Sequence, residues 1–200
     1  MASWHKFQNY LKSFVERTSY QTVNPYLNTI SWLSIFVAAY GIYQHYIDWN
    51  FDDSYIVFRM VENILNGAGW AYNSGEAYNA STSLLNTVLI AVTAKLGDLT
   101  VPNAAHLVGC LGIMVAGSSL FLLLRVRLAT GLALIISIFI MFSMGGNLTW
   151  GLETHLFCGG VLLFCYLEGR NRNTWWLVGV LILLRPDAIL ILLLKIVFDL

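Results

Sequence analysis

The stretch STSLLNTVLIAVTAKL, residues 81–96, decides the architecture. It is apolar, yet it contains Thr87, Thr93 and Lys95, and it is shorter than the about 20 residues that cross a hydrocarbon core. Other apolar runs flank it: residues 26–47 before it, then 102–124, 128–144 and 152–167 after it. A last run, 175–200, is broken in its middle by Arg185-Pro186-Asp187. Of the 200 residues, 58% are hydrophobic and 11% charged. Soluble domains carry about 25% charged residues, and one soluble core of this size has no room for so many long apolar runs. The expected fold class is all-α: a polytopic α-helical integral membrane protein.

Two topologies compete, and the distribution of Lys and Arg arbitrates. If residues 81–96 cross the membrane, Arg125, Arg127, Arg170 and Arg172 fall on the side opposite Lys6, Lys12 and Arg17, against the positive-inside bias. If the stretch lies in the interface as an amphipathic or re-entrant helix, all of these residues share the cytoplasmic side. The second reading is adopted. Residues 1–25 are then a cytoplasmic segment, 26–200 the membrane domain, and 48–101 an outer loop carrying juxtamembrane helices. The polar segment 48–80, the short loop 145–151 and the Arg185-Pro186-Asp187 break all emerge on the outer side. They bring Asp48, Asp52, Asp53, Glu62, Glu76, Glu153 and Asp187 together with Arg59 and Arg185. Two glycosylation sequons, Asn79-Ala80-Ser81 and Asn147-Leu148-Thr149, fall there too, although so short a pattern often arises by chance.

Composition and motifs exclude several classes. Eleven basic residues balance eleven acidic ones, so no net field favours nucleic acid as a partner. Cys110, Cys158 and Cys165 are odd in number and lie in apolar runs without a His at ligand spacing, which speaks against a disulfide framework or a zinc site. The turn-rich segment 67–76 has neither the Lys of a P-loop nor a dinucleotide fingerprint. Its Trp70 and Tyr72, with Tyr78, suit interfacial anchoring or stacking on a sugar.

The chemistry-bearing candidates stand out against this background. Apolar residues at Ile56, Val57, Met60, Val61, Ile64 and Leu65 predict a helix over 53–66, opened by Asp53 and closed by Gly67. One Asp suffices for an N-cap, so the pair Asp52 and Asp53 also suits a general base or a divalent cation. No complete metal-ligand set is visible, and no metal ligand is assigned. Arg59 and Glu62, three residues apart, suit a helical ion pair; Arg59 equally suits a phosphate. Glu153 sits at a span end, where capping or snorkelling accounts for a carboxylate. Arg185 and Asp187 flank a helix-breaking proline in an apolar run, a placement that marks either a turn or a site able to hold a lipid phosphate.

Taken in order, Asp52-Asp53-Ser54-Tyr55-Ile56-Val57-Phe58-Arg59, Asn63-Ile64-Leu65-Asn66-Gly67-Ala68-Gly69, Tyr72-Asn73-Ser74-Gly75-Glu76, Trp150-Gly151-Leu152-Glu153-Thr154 and Leu184-Arg185-Pro186-Asp187 resemble the GT-C superfamily of polytopic glycosyltransferases. The likeness is to the bacterial group that includes terminal arabinofuranosyltransferases, and it covers the N-terminal membrane half, from about residue 30 onward. The resemblance implies an inverting transfer from a polyprenyl-phosphate sugar to a hydroxyl of a glycan, lipid or protein acceptor, at the outer face of a bacterial inner membrane. It makes Asp52 or Asp53 the general base. Arg185 then steadies the phosphate leaving group, with Arg59, Glu153 and Asp187 shaping the site. The family more often has Glu at the position of Asp187. It also implies further spans and an outer domain beyond these 200 residues. The competing readings are a transporter or flippase-like protein for a lipid or anionic solute, suggested by the break at Pro186, and a non-catalytic fragment.

Overall fold

The computed structural model describes residues 25–73, 75–76, 80–146 and 150–199. Residues 1–24 of the expected N-terminal segment, Tyr78 and the sequon residues Asn79, Asn147, Leu148 and Thr149 lie outside the described residues. The described chain is helical, without strands: α1 (Pro25–Tyr46), α2 (Ser54–Leu65), α3 (Leu84–Gly97), α4 (Val101–Leu124), α5 (Thr130–Gly146), α6 (Thr154–Gly169), α7 (Trp175–Leu184) and α8 (Ile189–Asp199). A 3-10 turn, Pro186–Ala188, separates the last two. The sequence places each apolar run within a few residues of its helix. The run at 128–144 starts its helix two residues later, at Thr130.

Four helices form an up-and-down bundle whose closest seam is made by glycine. A Cβ on Gly112 of α4 would lie 2.6 Å from the Leu156 nitrogen of α6, and one on Gly159 would lie 2.8 Å from the Ala116 nitrogen. The two backbones are therefore in direct contact, which small residues at about one-turn spacing permit. Both contacts advance in the same direction, so α4 and α6 run parallel. On the far side of α4, Gly117 leaves room for Met141 of α5. The first helix, α1, runs antiparallel to α4. Asn28 accepts a hydrogen bond from Arg125 (2.9 Å), Trp32 meets Phe121 edge-on, and the Cys110 thiol faces the Ala39 carbonyl. All three cysteines are free.

The last two helices make a hairpin beside α6. The α7 helix rises until Arg185, whose extended backbone (φ −146°, ψ 123°) is what a residue before proline prefers. Gly160 leaves space for Leu181 along this contact. The α8 helix then returns, because Lys195 reaches Glu168 (2.6 Å) at the end of α6 and lies over the Trp175 ring. Thr174 also donates to Glu168, so the base of the hairpin is tied to α6.

The opposite end of the bundle is covered by α2 and α3. Val57, Phe58 and Val61 of α2, with Ile90, Ala91 and Ala94 of α3, pack on Val101, Ala104, Ala105 and Val108. These α4 residues belong to its first two turns. Asn86, near the start of α3, binds the loop before α6, and three residues join its end to α4. Both ends of α3 therefore belong to this end of the bundle.

One described helix, α4, is long and apolar enough by itself to cross a membrane. The α5 and α6 helices have 17 and 16 residues. At about 1.5 Å per residue they fall short of a hydrocarbon core of about 30 Å. Large apolar side chains are nonetheless exposed on three helices: Ile135, Phe139 and Phe142 on α5, Phe36, Val37 and Tyr40 on α1, and Leu193, Leu194 and Val197 on α8.

Candidate active site

The capped end of the bundle is organised around Trp150, which is fully buried. Its indole N–H donates to the Gly145 carbonyl of α5 (3.2 Å). The ring stacks on His106 of α4 (centroids 5.3 Å) and on Tyr46 of α1 (6.1 Å), and meets His155 of α6 at a tilt. A Cβ on Gly109 would come within 3.0 Å of the indole, so the glycine is what admits the ring.

The backbone at Trp150 and Gly151 gathers the two covering helices. The Ser54 hydroxyl, at the start of α2, donates to the Trp150 carbonyl. The Asn86 amide of α3 donates to the next carbonyl, that of Gly151 (3.1 Å). Gly151 has φ +92°, and a Cβ there would meet Ser54 at 2.7 Å. Glycine answers both demands.

The structure places the expected site residues around this point. Asp52 and Asp53 occupy the turn before Ser54, and both are exposed. The Asp53 side chain makes no cap hydrogen bond to α2, so local capping does not account for it. Neither acid forms an ion pair with another described residue. Glu153 follows Gly151 by two positions and is largely buried, 13% exposed, with Arg185 4.0 Å away. Arg185 also pairs with Asp187 (3.1 Å) and lies over the Phe157 ring (5.4 Å). Its Nε is the engaged atom in both ion pairs, and a guanidinium carries four further N–H donors on its Nη atoms. Segments near residues 52, 153 and 185 therefore converge on one end of the bundle. Arg59 faces Glu62 at 3.8 Å on the exposed side of α2. No protein-family model matches the chain, and no curated protein or solved structure matches it either.

No group of three or more His, Cys, Asp or Glu side chains able to hold a metal forms among the described residues. The residues that sequence reasoning passed over are the polar ones that pin this end: Asn50, Ser54, Asn86 and His106. His106 donates from Nε2 to Asn50 Oδ1 (3.1 Å), and His155 from Nε2 to the Met144 carbonyl (3.1 Å). The available signal was a polar side chain inside an apolar run, as at Asn86 and His106, which seldom occurs without a partner. Asn63 plays a similar part in the loop after α2, where its amide donates to the Ala71 and Tyr72 carbonyls (both 2.8 Å).

Proposed function

We propose that this chain is the membrane domain of a glycosyltransferase that takes a sugar from a polyprenyl phosphate and delivers it to an acceptor hydroxyl at the outer face of a bacterial inner membrane. The observation that carries the reading is the convergence of the Asp52–Asp53 turn with the Glu153–Arg185–Asp187 group, across more than half of the sequence. The outward-facing apolar side chains of α1, α5 and α8 support a polytopic membrane domain, since a soluble protein seldom leaves large apolar faces uncovered. The packing of α2 and α3 over one end supports juxtamembrane helices at the outer face.

The residues suit a single displacement. The acceptor hydroxyl gives its proton to the carboxylate of Asp52 or Asp53 and its oxygen attacks the anomeric carbon. The bond from that carbon to the phosphate oxygen breaks, and the leaving phosphate keeps the electron pair. A hydroxyl is a weak nucleophile at neutral pH, so a carboxylate base belongs in the mechanism. Arg185 offers a planar fork of donors to the departing phosphate. Glu153 and Asp187 hold that fork through its Nε.

The test is transfer in proteoliposomes supplied with polyprenyl-phosphate arabinofuranose, mannose or glucose and a hydroxyl acceptor, read as released polyprenyl phosphate. Transfer by the wild type and its loss in Asp52→Asn or Asp53→Asn, at equal protein levels, is the expected result. Full activity in both variants removes the base from the mechanism. The broken helix at Pro186 supports a second reading, a transporter for a lipid or anionic solute. Solute uptake or lipid translocation without sugar transfer would establish that reading instead.

A further inference from the structure

We propose that His106 is a positioning residue for the Asp52–Asp53 pair, acting on both flanks of the turn that carries it. On one flank the ring holds Asn50 through Nε2 (3.1 Å). On the other it stacks on Trp150 (5.3 Å, 28° between planes), whose carbonyl receives the Ser54 hydroxyl. The two acids are thus bracketed within five residues by contacts to a single buried platform. Backbone bonds from Ser54 to Phe51 (3.0 Å) and from Tyr55 to Asp52 (3.1 Å) close the turn between the brackets.

Several features make this more than ordinary packing. His106 is fully buried, and its Nδ1 has no hydrogen-bond partner among the described residues. An apolar residue of similar volume would fill the space without leaving that atom unsatisfied, so packing alone does not call for a histidine. Asn50 is exposed, and the ring is anchored to it and to the neighbouring Trp49 backbone. The platform also carries Glu153, three residues beyond Trp150, and through it Arg185. His106 therefore sets the position of the acids relative to the cation, although it touches neither. The catalytic part of this inference rests on the glycosyltransferase reading; the mechanical part does not.

The experiment compares His106→Leu, His106→Gln and Asn50→Ala in the full chain, reconstituted in proteoliposomes. It reads kcat and KM for a polyprenyl-phosphate sugar donor, thermal unfolding, and amide hydrogen exchange over residues 50–56. A misplaced reacting group can cost about 100-fold in rate. His106→Leu and Asn50→Ala are expected to lower kcat by about 10- to 100-fold at unchanged donor KM, and to speed exchange over 50–56. His106→Gln is expected to recover most of both, because its amide can still donate to Asn50. Asn50→Ala changes an exposed residue, so it tests the bond even if His106→Leu fails to fold. Unchanged exchange in Asn50→Ala overturns the bracket itself. Faster exchange with full kcat makes His106 a structural residue only. A wild type that transfers no sugar while its variants exchange faster overturns the glycosyltransferase reading and the catalytic part, and leaves the bracket standing.

Discussion

Arg185 meets both of its acids through Nε and rests its guanidinium on Phe157. In the proposed mechanism its Nη donors would serve the leaving phosphate. Arg185→Gln is accordingly expected to lower sugar transfer by about 100- to 1,000-fold, the scale on which loss of a preorganised charge-stabilising donor acts. Arg185→Lys keeps the charge but loses the fork and the stacking, so it should recover only part of that loss. Rates measured beside thermal unfolding separate this from a folding defect, and full activity in Arg185→Gln would exclude the phosphate role. Gly151 presents a different constraint. Alanine there meets both an unfavourable φ of +92° and the Ser54 side chain at 2.7 Å. The backbone term alone is expected to cost about 1–3 kcal/mol. Unfolding of Gly151→Ala in detergent should show at least that loss, and an unchanged midpoint would contradict the Ser54 contact.

At the scale of elements, hydropathy and proline or glycine punctuation were enough to find every described helix. The spacing of Ile56, Val57, Met60, Val61, Ile64 and Leu65 assigned α2, although Ile56 and Leu65 are exposed and Phe58 is buried, and Pro186 located the break between α7 and α8. What the sequence concealed is how the elements meet. Hydrogen bonds from Ser54 and Asn86 to consecutive carbonyls at 150 and 151 join segments 65 or more residues apart, and no periodicity encodes them. The Trp150 platform was equally hidden, because an aromatic residue before a glycine resembles an interfacial anchor. The candidate acids and Arg185 were visible as residue types, and the three-residue spacing of Arg59 and Glu62 showed their ion pair. Two glycines give the packing a direct test. Gly112 faces the α6 backbone, whereas Gly179 has nothing within 4 Å of its would-be Cβ. Gly112→Ala is expected to push the helices apart at a cost of about 1–3 kcal/mol, the usual penalty of overpacking. Gly179→Ala should instead stabilise by up to about 1 kcal/mol through helix propensity. Opposite shifts in the unfolding midpoint confirm the seam, and equal shifts would refute it.

The whole molecule is polarised along the bundle axis. Arg125, Arg127, Arg170, Arg172 and Lys195 gather at one end, where Lys195 occupies Glu168 and Asp199. Asp48, Asp52, Asp53, Glu62, Glu76, Glu153 and Asp187 lie toward the other with Arg59, Lys95 and Arg185 among them, and uncovered apolar side chains lie between. On the proposed membrane reading, that distribution would put the basic end on the cytoplasmic side. The short α5 and α6 helices remain compatible with it, since a bilayer thins locally around a short span at a modest cost. The orientation is tested in a chain whose Cys110, Cys158 and Cys165 are replaced and which carries single cysteines at Asn73, Lys95, Arg127 or Arg172. Labelling of Asn73 and Lys95 from outside, with Arg127 and Arg172 from inside, is the expected pattern. It would leave the acids and Arg185 on one aqueous face, where a hydroxyl acceptor and a lipid-linked donor can meet. Labelling of Lys95 from inside and Arg127 from outside would make α3 a crossing helix. Its contacts with Gly151 and with the first turns of α4 would then lie within the bilayer, and the acid pair would lose its access to a water-borne acceptor.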